Sequence, residues 1–297
     1  MRAGFVALIG RPNAGKSTLL NRLVGEKVSI VSDKPQTTRT RILGVKTTPE
    51  AQCVYVDTPG IHKPMHRMNA RMVDAATGAL RDVDVVVWVY DASEPVGRGV
   101  HYILDLLAKI DAPVILALNK IDRLAKQTLL PMMSAFAARR AFHAIVPISA
   151  LTGDGDAALE QEIIAALPEG EPLYPADYLT DQAERTYAAE IVREKLLHHL
   201  REELPYTTAV LVDRFEEPGD DGLMRIACVI LVEAASQKGI VLGKGGDMIK
   251  RVGTEARLEL ERFFDTRLFL DLHVKVRGEW RNDERILDEM GLGKRGH

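Results

Sequence analysis

The sequence predicts an α/β protein in which a doubly wound, mostly parallel sheet is followed by a smaller α+β domain. Strand-like apolar runs alternate with helix-like segments up to about residue 167. The run Val83-Asp-Val-Val-Val-Trp-Val-Tyr90 is nearly all apolar, as expected for a strand that is buried on both faces. A proline-rich stretch then ends the alternation. We therefore expect domains at 1–167 and 182–297 that are joined by a linker at 168–181.

Each element of the first domain follows from an apolar run or from helical spacing. The predicted strands are 5–9, 40–46, 52–57, 83–90, 114–119 and 144–148. The predicted helices are 16–24, 68–80, 99–109, 127–139 and 155–167. Because sheets of this kind bind ligands at the carboxyl ends of their strands, the motifs that follow the strands are expected to share one site.

Composition limits the classes of function. The 297 residues are 46% hydrophobic and 27% charged, which is typical of a globular protein. The net charge of −3 means that any nucleic-acid site must be a local basic patch. Cys53 and Cys228 lie far apart in apolar runs, so we expect reduced core residues and no disulfide. No apolar stretch approaches the roughly 18 residues of a membrane span.

A glycine-rich loop joins the first predicted strand to the first predicted helix. Its sequence, Gly10-Arg-Pro-Asn-Ala-Gly-Lys-Ser17, matches the GxxxxGK[ST] phosphate-binding pattern. The glycines allow successive backbone N–H groups to face one anion, and the helix N-terminus adds a positive dipole end. Lys16 is expected to reach the β- and γ-phosphates, and the Ser17 hydroxyl to ligate Mg²⁺. The predicted phosphate contacts are Gly10, Arg11, Pro12, Asn13, Ala14, Gly15, Lys16, Ser17 and Thr18.

The motif Asp57-Thr-Pro-Gly60 follows the third predicted strand. A carboxylate at this strand end is placed to hold Mg²⁺ through water, opposite Ser17. The Gly60 N–H is expected to face the γ-phosphate, because glycine permits close backbone approach. The predicted nucleotide contacts of this loop are Asp57, Thr58, Pro59, Gly60 and Ile61.

A polar loop at 34–40 precedes the second predicted strand and contains three threonines. One of them is expected to complete the Mg²⁺ shell and to sense the γ-phosphate. Thr37, Thr38 and Thr40 compete for this role. We prefer Thr38, with Thr37 as the second choice.

The motif Asn119-Lys-Ile-Asp122 closes the fifth predicted strand. The Asp122 carboxylate can accept two hydrogen bonds from the N1–H and exocyclic amine of guanine, a donor pair that adenine lacks. The Lys120 stem can lie along the base, and Asn119 can join this loop to the phosphate loop. Ser149-Ala150, after the sixth predicted strand, would support the base through backbone N–H groups.

Together these four motifs resemble the translation-factor-related GTPases, and the resemblance covers residues 1–167. It implies a GTP/GDP switch with Mg²⁺ whose flexible segments are roughly 27–41 and 58–75. We expect the catalytic roles to belong to Lys16, Thr38, Gly60 and Asn13.

One position departs from the Ras-like pattern. Ile61 stands where a Ras-like chain carries the glutamine that orients the attacking water. Isoleucine cannot hydrogen-bond water, so we expect slow intrinsic hydrolysis. Asn13 precedes Ala-Gly-Lys as in GTPase families that use K⁺ in place of an arginine finger, so we expect K⁺ to stimulate the reaction.

The second domain follows a different order of elements. An amphipathic helix at 184–203 precedes strand-like runs at 207–215 and 223–232, and the turn residues between these runs predict a hairpin. Gly243-Lys-Gly-Gly246 then forms a GXXG loop before a long helix and a strand at 267–276. This order indicates a KH module of type II, whose GXXG backbone clamps single-stranded RNA. The candidate RNA contacts are Gly243, Lys244, Gly245, Gly246, Lys238, Lys250 and Arg251, with Arg257 extending the basic patch.

The full chain resembles a family of bacterial ribosome-assembly GTPases that carry a KH domain. The matching segments are Pro35-Gln-Thr-Thr-Arg39, Pro172-Leu-Tyr-Pro175, Leu179-Thr-Asp-Gln182, Ser236-Gln-Lys-Gly-Ile240 and the GXXG loop. The resemblance implies binding of the 16S rRNA 3′ end during maturation of the small ribosomal subunit. It also implies a cytoplasmic protein that can associate peripherally with the inner membrane. We expect the chain to be a monomer.

Two other functions are consistent with the same motifs. One is a passive RNA-binding module whose nucleotide domain is structural, which predicts no turnover even with RNA present. The other is a membrane-associated signalling GTPase whose KH-like part binds protein or lipid.

Overall fold

The structure is a computed structural model that describes residues 1–61 and 66–293. The chain divides into two compact units, the first formed by residues up to 65 and 72–181, the second by residues 66–71 and those from 182 onward. No helix in the described part of the chain combines the length and the apolar character needed to cross a membrane.

A six-stranded sheet forms the centre of the first unit. Its strands are β1 (Arg2–Ile9), β2 (Ile42–Thr47), β3 (Ala51–Asp57), β4 (Val85–Asp91), β5 (Val114–Asn119) and β6 (Ala144–Pro147). The helices along this part of the chain are α1 (Lys16–Val24), α2 (Arg67–Gly78), α3 (Arg98–Leu107), α4 (Leu129–Ala137) and α5 (Asp156–Ala166). The strand order is β2-β3-β1-β4-β5-β6, and every pairing is parallel except β2 with β3. The predicted doubly wound, mostly parallel sheet is therefore confirmed.

The sheet is buried on both faces. All seven residues of β4 are buried, and alternate side chains enter different hydrophobic clusters. Val87 packs in the cluster that contains Leu19 of α1 and Ile163 of α5, whereas Trp88 packs with Val100 of α3 and Phe136 of α4. Because β1, β3, β4 and β5 are paired in parallel, their carboxyl ends lie at one edge of the sheet, and the motifs that follow these strands lie there.

Residues 168–181, expected to be a linker, belong to the first unit. The buried Gln52 side chain accepts hydrogen bonds from Leu173 N at 2.6 Å and Tyr174 N at 2.9 Å. The stacked Tyr174 and Tyr178 rings lie 4.8 Å apart and pack on the cluster formed by Leu43, Val45 and Val54. This segment therefore packs against and hydrogen-bonds to β2 and β3, at one edge of the sheet.

The second unit contains a three-stranded sheet. Its elements are α6 (Glu184–His199), α7 (Leu204–Thr207), β7 (Ala209–Glu216), β8 (Leu223–Val232), α8 (Ala235–Leu242), α9 (Asp247–Phe264), β9 (Arg267–Val276) and α10 (Glu284–Leu287). Strands β7 and β8 form the predicted antiparallel hairpin, and β9 pairs with β8 in parallel. The helix predicted at 184–203 ends at His199, and a separate short helix, α7, begins at Leu204 with a proline in its first turn.

Candidate functional site

The phosphate loop lies between β1 and α1, as predicted. Gly15, just before α1, has φ 97°, and a Cβ atom there would lie 2.2 Å from Asn119 Nδ2. Gly10 likewise leaves no room for a side chain, since an added Cβ atom would lie 2.3 Å from the Val89 carbonyl oxygen. Both positions therefore require glycine. The loop continues directly into the N-terminus of α1, where backbone N–H groups can bind an anion.

Lys16 is the first residue of α1 and is 6% exposed. Its Nζ atom donates to the carbonyl oxygens of Gly10 at 3.3 Å and Arg11 at 3.0 Å, which holds the ammonium group inside the loop. Burial lowers the pKa of Lys16 to about 8, and the nearby Asp57 carboxylate opposes this shift. A phosphate beside this ammonium would add negative charge and so favour its protonated form.

Three hydroxyl groups surround the Asp57 carboxylate at the end of β3. Ser17 Oγ lies 2.6 Å from Asp57 Oδ2 and 2.7 Å from Thr38 Oγ1. Thr38 Oγ1 and Ser29 Oγ each lie 3.3 Å from the same carboxylate oxygen. Burial raises the pKa of Asp57, while Lys16 and the three hydroxyls lower it in part. The structure thus brings together Ser17, Thr38 and Asp57, the residues that were predicted to surround Mg²⁺.

This cluster fits a hard divalent cation. Asp57 Oδ1 is fully buried and has no hydrogen-bond partner among the described residues. A buried carboxylate oxygen without a partner is costly, and a metal-bound water would satisfy it. Hydroxyl and carboxylate oxygens are also the ligands that Mg²⁺ prefers.

Thr38 and Thr37 take different positions in the polar loop. Thr38 is buried and faces Ser17 and Asp57, whereas the Thr37 hydroxyl donates to the Lys34 carbonyl at 2.6 Å. The structure therefore places Thr38, the preferred choice, beside the predicted metal position. Within the second predicted flexible segment, 58–75, residues 62–65 lie outside the described residues.

Residues 58–61 form a loop that packs against the phosphate loop. Thr58 Oγ1 donates to the Leu8 carbonyl at 2.9 Å, and Ile61 N donates to the Gly10 carbonyl at 3.2 Å. A Cβ atom on Gly60 would lie 2.7 Å from Pro12 N, so the two loops approach closely only because residue 60 is glycine. The Ile61 side chain is 4% exposed and packs in a hydrophobic cluster of the sheet.

The predicted base loop is joined to the phosphate loop by Asn119. Its Nδ2 donates to the Ala14 carbonyl at 2.8 Å, and its Oδ1 accepts from Lys120 N at 2.8 Å and Ala150 N at 2.9 Å. Ser149 Oγ donates to Asp122 Oδ1 at 2.6 Å, which orients the carboxylate. Asp122 is exposed, so its carboxylate is accessible to a ligand. Ser149, which donates to that carboxylate, is buried.

Ser29 and Asp91 also belong to this site, although neither was predicted from the sequence. Ser29 adds the third hydroxyl on Asp57, and Asp91, at the end of β4, forms an ion pair with Lys120. Hydrogen bonds from Lys120 and Ser93 lower the pKa of Asp91 despite its burial. The position of Asp91 at a strand end was the available signal, since the motifs at residues 10–17, 57–60 and 119–122 also follow or end a strand.

A cleft of about 630 Å³ runs between the phosphate loop and the base loop. Its walls include Lys16, Thr38 and Gly60 on the phosphate side and Lys120 and Leu151 on the base side. A volume in this range suits a bound nucleotide.

The GXXG loop lies between α8 and α9. Gly243 has φ 75°, and a Cβ atom there would lie 2.7 Å from Met248 Cβ. Gly245 and Gly246 also have positive φ, but added Cβ atoms would meet no heavy atom of the described chain within 4 Å. The first glycine is therefore required by packing, whereas the last two leave the backbone open to a ligand.

The predicted basic residues are placed differently around this loop. Lys244, Lys250 and Arg251 are exposed, and Lys238 is partly exposed. Arg257 instead forms an ion pair with Glu261 at 2.8 Å, one turn further along α9. Arg257 is thus partly neutralised by its own helix.

The fold and the two sites define a P-loop GTPase joined to a KH domain. The family model described as "50S ribosome-binding GTPase" matches residues 5–120, and the KH domain model matches residues 203–281. The chain is 51% identical over 290 residues to a GTPase Era of Geobacter metallireducens, and the match covers 98% of this chain and 97% of that protein. The chain belongs to the GTPase Era family.

Two solved structures are similar over nearly the whole chain. A crystal structure of Era in complex with MgGDPNP and nucleotides 1506–1542 of 16S ribosomal RNA has a TM-score of 0.96 and 40% identity, and covers 99% of this chain and 100% of that one. A single-residue variant of Aquifex aeolicus Era bound to GDP·AlF₄⁻ has a TM-score of 0.95 and 39% identity, with the same coverage. As a member of this family, the chain is a GTPase.

Proposed function

We propose that this chain is a GTP/GDP switch that uses Mg²⁺ and binds the 3′ end of 16S rRNA through its KH domain. The observation that carries the nucleotide part is the convergence of Ser17, Thr38 and Asp57 beside the buried Lys16 ammonium. The proposed nucleotide contacts remain those of the phosphate loop, residues 57–61, Asn119, Lys120, Asp122, Ser149 and Ala150. We propose that the GTPase domain spans residues 1–167 and the KH domain residues 182–297, and that the connecting segment 168–181 packs on the GTPase sheet.

Lys16 and the backbone stabilise charge on the phosphates. The ammonium and the N–H groups around Gly15 and Gly60 are positioned to face the oxygens on which negative charge increases during γ-phosphate transfer. Bound Mg²⁺, held by Ser17, Thr38 and, through water, Asp57, would neutralise further phosphate charge. Within the phosphate loop, the Lys16 ammonium is already held by the Gly10 and Arg11 carbonyl oxygens, so this group needs little rearrangement.

Ile61 explains why intrinsic hydrolysis should be slow. Its side chain packs in the core, so this position supplies no polar group to orient the attacking water. Asn13 Nδ2 donates to the Asp33 carbonyl at 2.6 Å, which fixes the side chain and makes its amide oxygen the end that would hold K⁺.

The RNA part of the proposal is supported by the open GXXG backbone and by the similar Era structure that contains nucleotides 1506–1542 of 16S rRNA. Lys244, Lys250 and Arg251 are exposed near the loop and supply charge for the RNA backbone. We further propose that the chain acts as a cytoplasmic monomer that assists small-subunit maturation and associates peripherally with the inner membrane.

Crosslinking to total cellular RNA tests the proposal, with the parent chain compared against Lys244→Glu. We expect the parent chain to recover the 3′ end of small-subunit rRNA and the variant to lose it, because a carboxylate repels phosphate. Lys109→Glu, the same charge change at an exposed residue of the first unit, is the matched control and should recover as much RNA as the parent chain. Recovery of unrelated RNA, or equal recovery by Lys244→Glu, would contradict the rRNA assignment.

A further inference from the structure

We infer that Asp91 is a positioning residue for the base side of the cleft. It holds the Lys120 side chain in the orientation in which its stem would contact the guanine base. This inference rests on the proposed nucleotide site and adds a residue to it. Asp91 Oδ2 is paired with Lys120 Nζ, and both residues line the cleft of about 630 Å³.

The backbone brings the two residues together. Asp91 ends β4 and is the register partner of Asn119 on β5, and Ala92 N donates to the Asn119 carbonyl at 2.9 Å. Lys120 follows directly with φ 67°, a left-handed conformation that non-glycine residues rarely adopt. The chain therefore turns at Lys120 so that its stem runs back over the end of β4.

Asp91 uses both of its carboxylate oxygens. While Oδ2 pairs with Lys120, Oδ1 accepts from Ser93 N at 3.0 Å and Ser93 Oγ at 2.6 Å. The carboxylate is therefore held by its own loop, and it is 7% exposed. A lysine tethered at its ammonium end keeps its four-carbon stem in one orientation, which provides a fixed apolar surface for a flat base.

Asparagine at position 91 tests this arrangement with little change of shape. It has one acceptor oxygen where aspartate has two, so it cannot serve Lys120 and Ser93 together. We expect Asp91→Asn to release fluorescent GDP about tenfold faster than the parent chain. GTP should be released faster by the same factor, because the groups near the γ-phosphate are unchanged.

Lys120→Met provides a second variant that does not depend on how well Asp91→Asn folds. It keeps an apolar side chain but removes the ammonium that Asp91 holds, so GDP release should again be about tenfold faster. In the double variant, Asp91→Asn should add no further increase, because the pair is already broken. The preference for guanine over adenine nucleotides should be unchanged throughout, since Asp122 is intact.

The outcomes separate the inference from the proposed function. If the parent chain binds neither GDP nor GTP, the nucleotide site itself is wrong. If the parent chain binds GDP but either single variant releases it at the parent rate, the role of Asp91 is overturned. Additive effects in the double variant would also overturn it, because they would show that Asp91 acts independently of Lys120.

Discussion

Asn119 donates from Nδ2 to the carbonyl oxygen of Ala14 at 2.8 Å and thereby joins the base loop to the phosphate loop. The same side chain accepts from two backbone N–H groups, and it is 2% exposed. One buried amide thus fixes the relative position of the parts that are proposed to bind the base and the phosphates.

Asn119→Ala should destabilise the first unit and weaken nucleotide binding together. The substitution leaves buried backbone groups at Ala14 and Ala150 without their partner, at a cost of about 3 kcal/mol in the free energy of unfolding. Urea denaturation and GDP titration measure the two effects. Gln127→Ala, at an exposed amide of the same unit, should change neither, and an unchanged GDP affinity in Asn119→Ala would contradict the account.

Asp122→Asn should change the base that is bound. The carboxylate accepts hydrogen bonds from guanine, whereas an amide also donates and therefore matches the 2-oxo group of xanthine. We expect GTP affinity to fall about 100-fold and xanthosine triphosphate to bind better than GTP. Competition titration with both nucleotides checks this. Retained GTP affinity would show that Asp122 does not contact the base.

The pKa of Lys16 predicts proton uptake on nucleotide binding. Its folded-state pKa of about 8 is below the unfolded value of 10.5, so the folded chain releases this proton first as pH rises. Between about pH 8 and 10.5 the unfolded state holds more protons, and this group makes the ligand-free chain more stable as pH increases. A phosphate favours the ammonium, so GDP should bind with proton uptake near and above pH 8 and lose affinity at higher pH.

Calorimetry in buffers of different ionisation enthalpy measures this proton uptake directly. Lys16→Met should bind GDP weakly and should lose the stability increase between about pH 8 and 10.5. A parent chain whose GDP affinity is constant from about pH 7 to 10 would contradict the prediction, as would an unchanged pH profile of unfolding in Lys16→Met.

Hydrolysis should be faster in KCl than in NaCl at equal ionic strength. K⁺ held by the Asn13 amide oxygen would add positive charge near the phosphates, the role that an arginine finger has in other GTPases. Asn13→Ala should hydrolyse GTP at the same low rate in both salts. Equal rates of the parent chain in the two salts, or an unaltered salt response in Asn13→Ala, would remove this hypothesis.

Substitutions at two glycines of the GXXG loop should affect RNA binding and folding differently. Gly245→Asp places a carboxylate in open space at φ 64°, a left-handed conformation that costs aspartate about 1 kcal/mol, so RNA affinity should fall at least about tenfold while the melting temperature falls by only a few degrees. Gly243→Asp meets Met248 and should lower the melting temperature. Unimpaired RNA binding by a folded Gly245→Asp would contradict the role of the loop.

Local patterns predicted the central sheet and the nucleotide motifs because their signals are short-range. The apolar run of β4 and the glycine spacing of residues 10–17 each identify an element without knowledge of its neighbours. The attachment of residues 168–181 depends on Gln52, which is more than a hundred residues away and has no local signature. The Asp91–Lys120 pair likewise requires the register of β4 with β5.

Calorimetric titration of the chain with GTP and Mg²⁺, alongside the same titration with ATP, tests the central claim most directly. The account predicts a saturable binding heat for GTP and none for ATP, because Lys16 and the loop hold the phosphates while Asp122 selects guanine. An absence of heat with GTP, or equally tight binding of ATP, would contradict it.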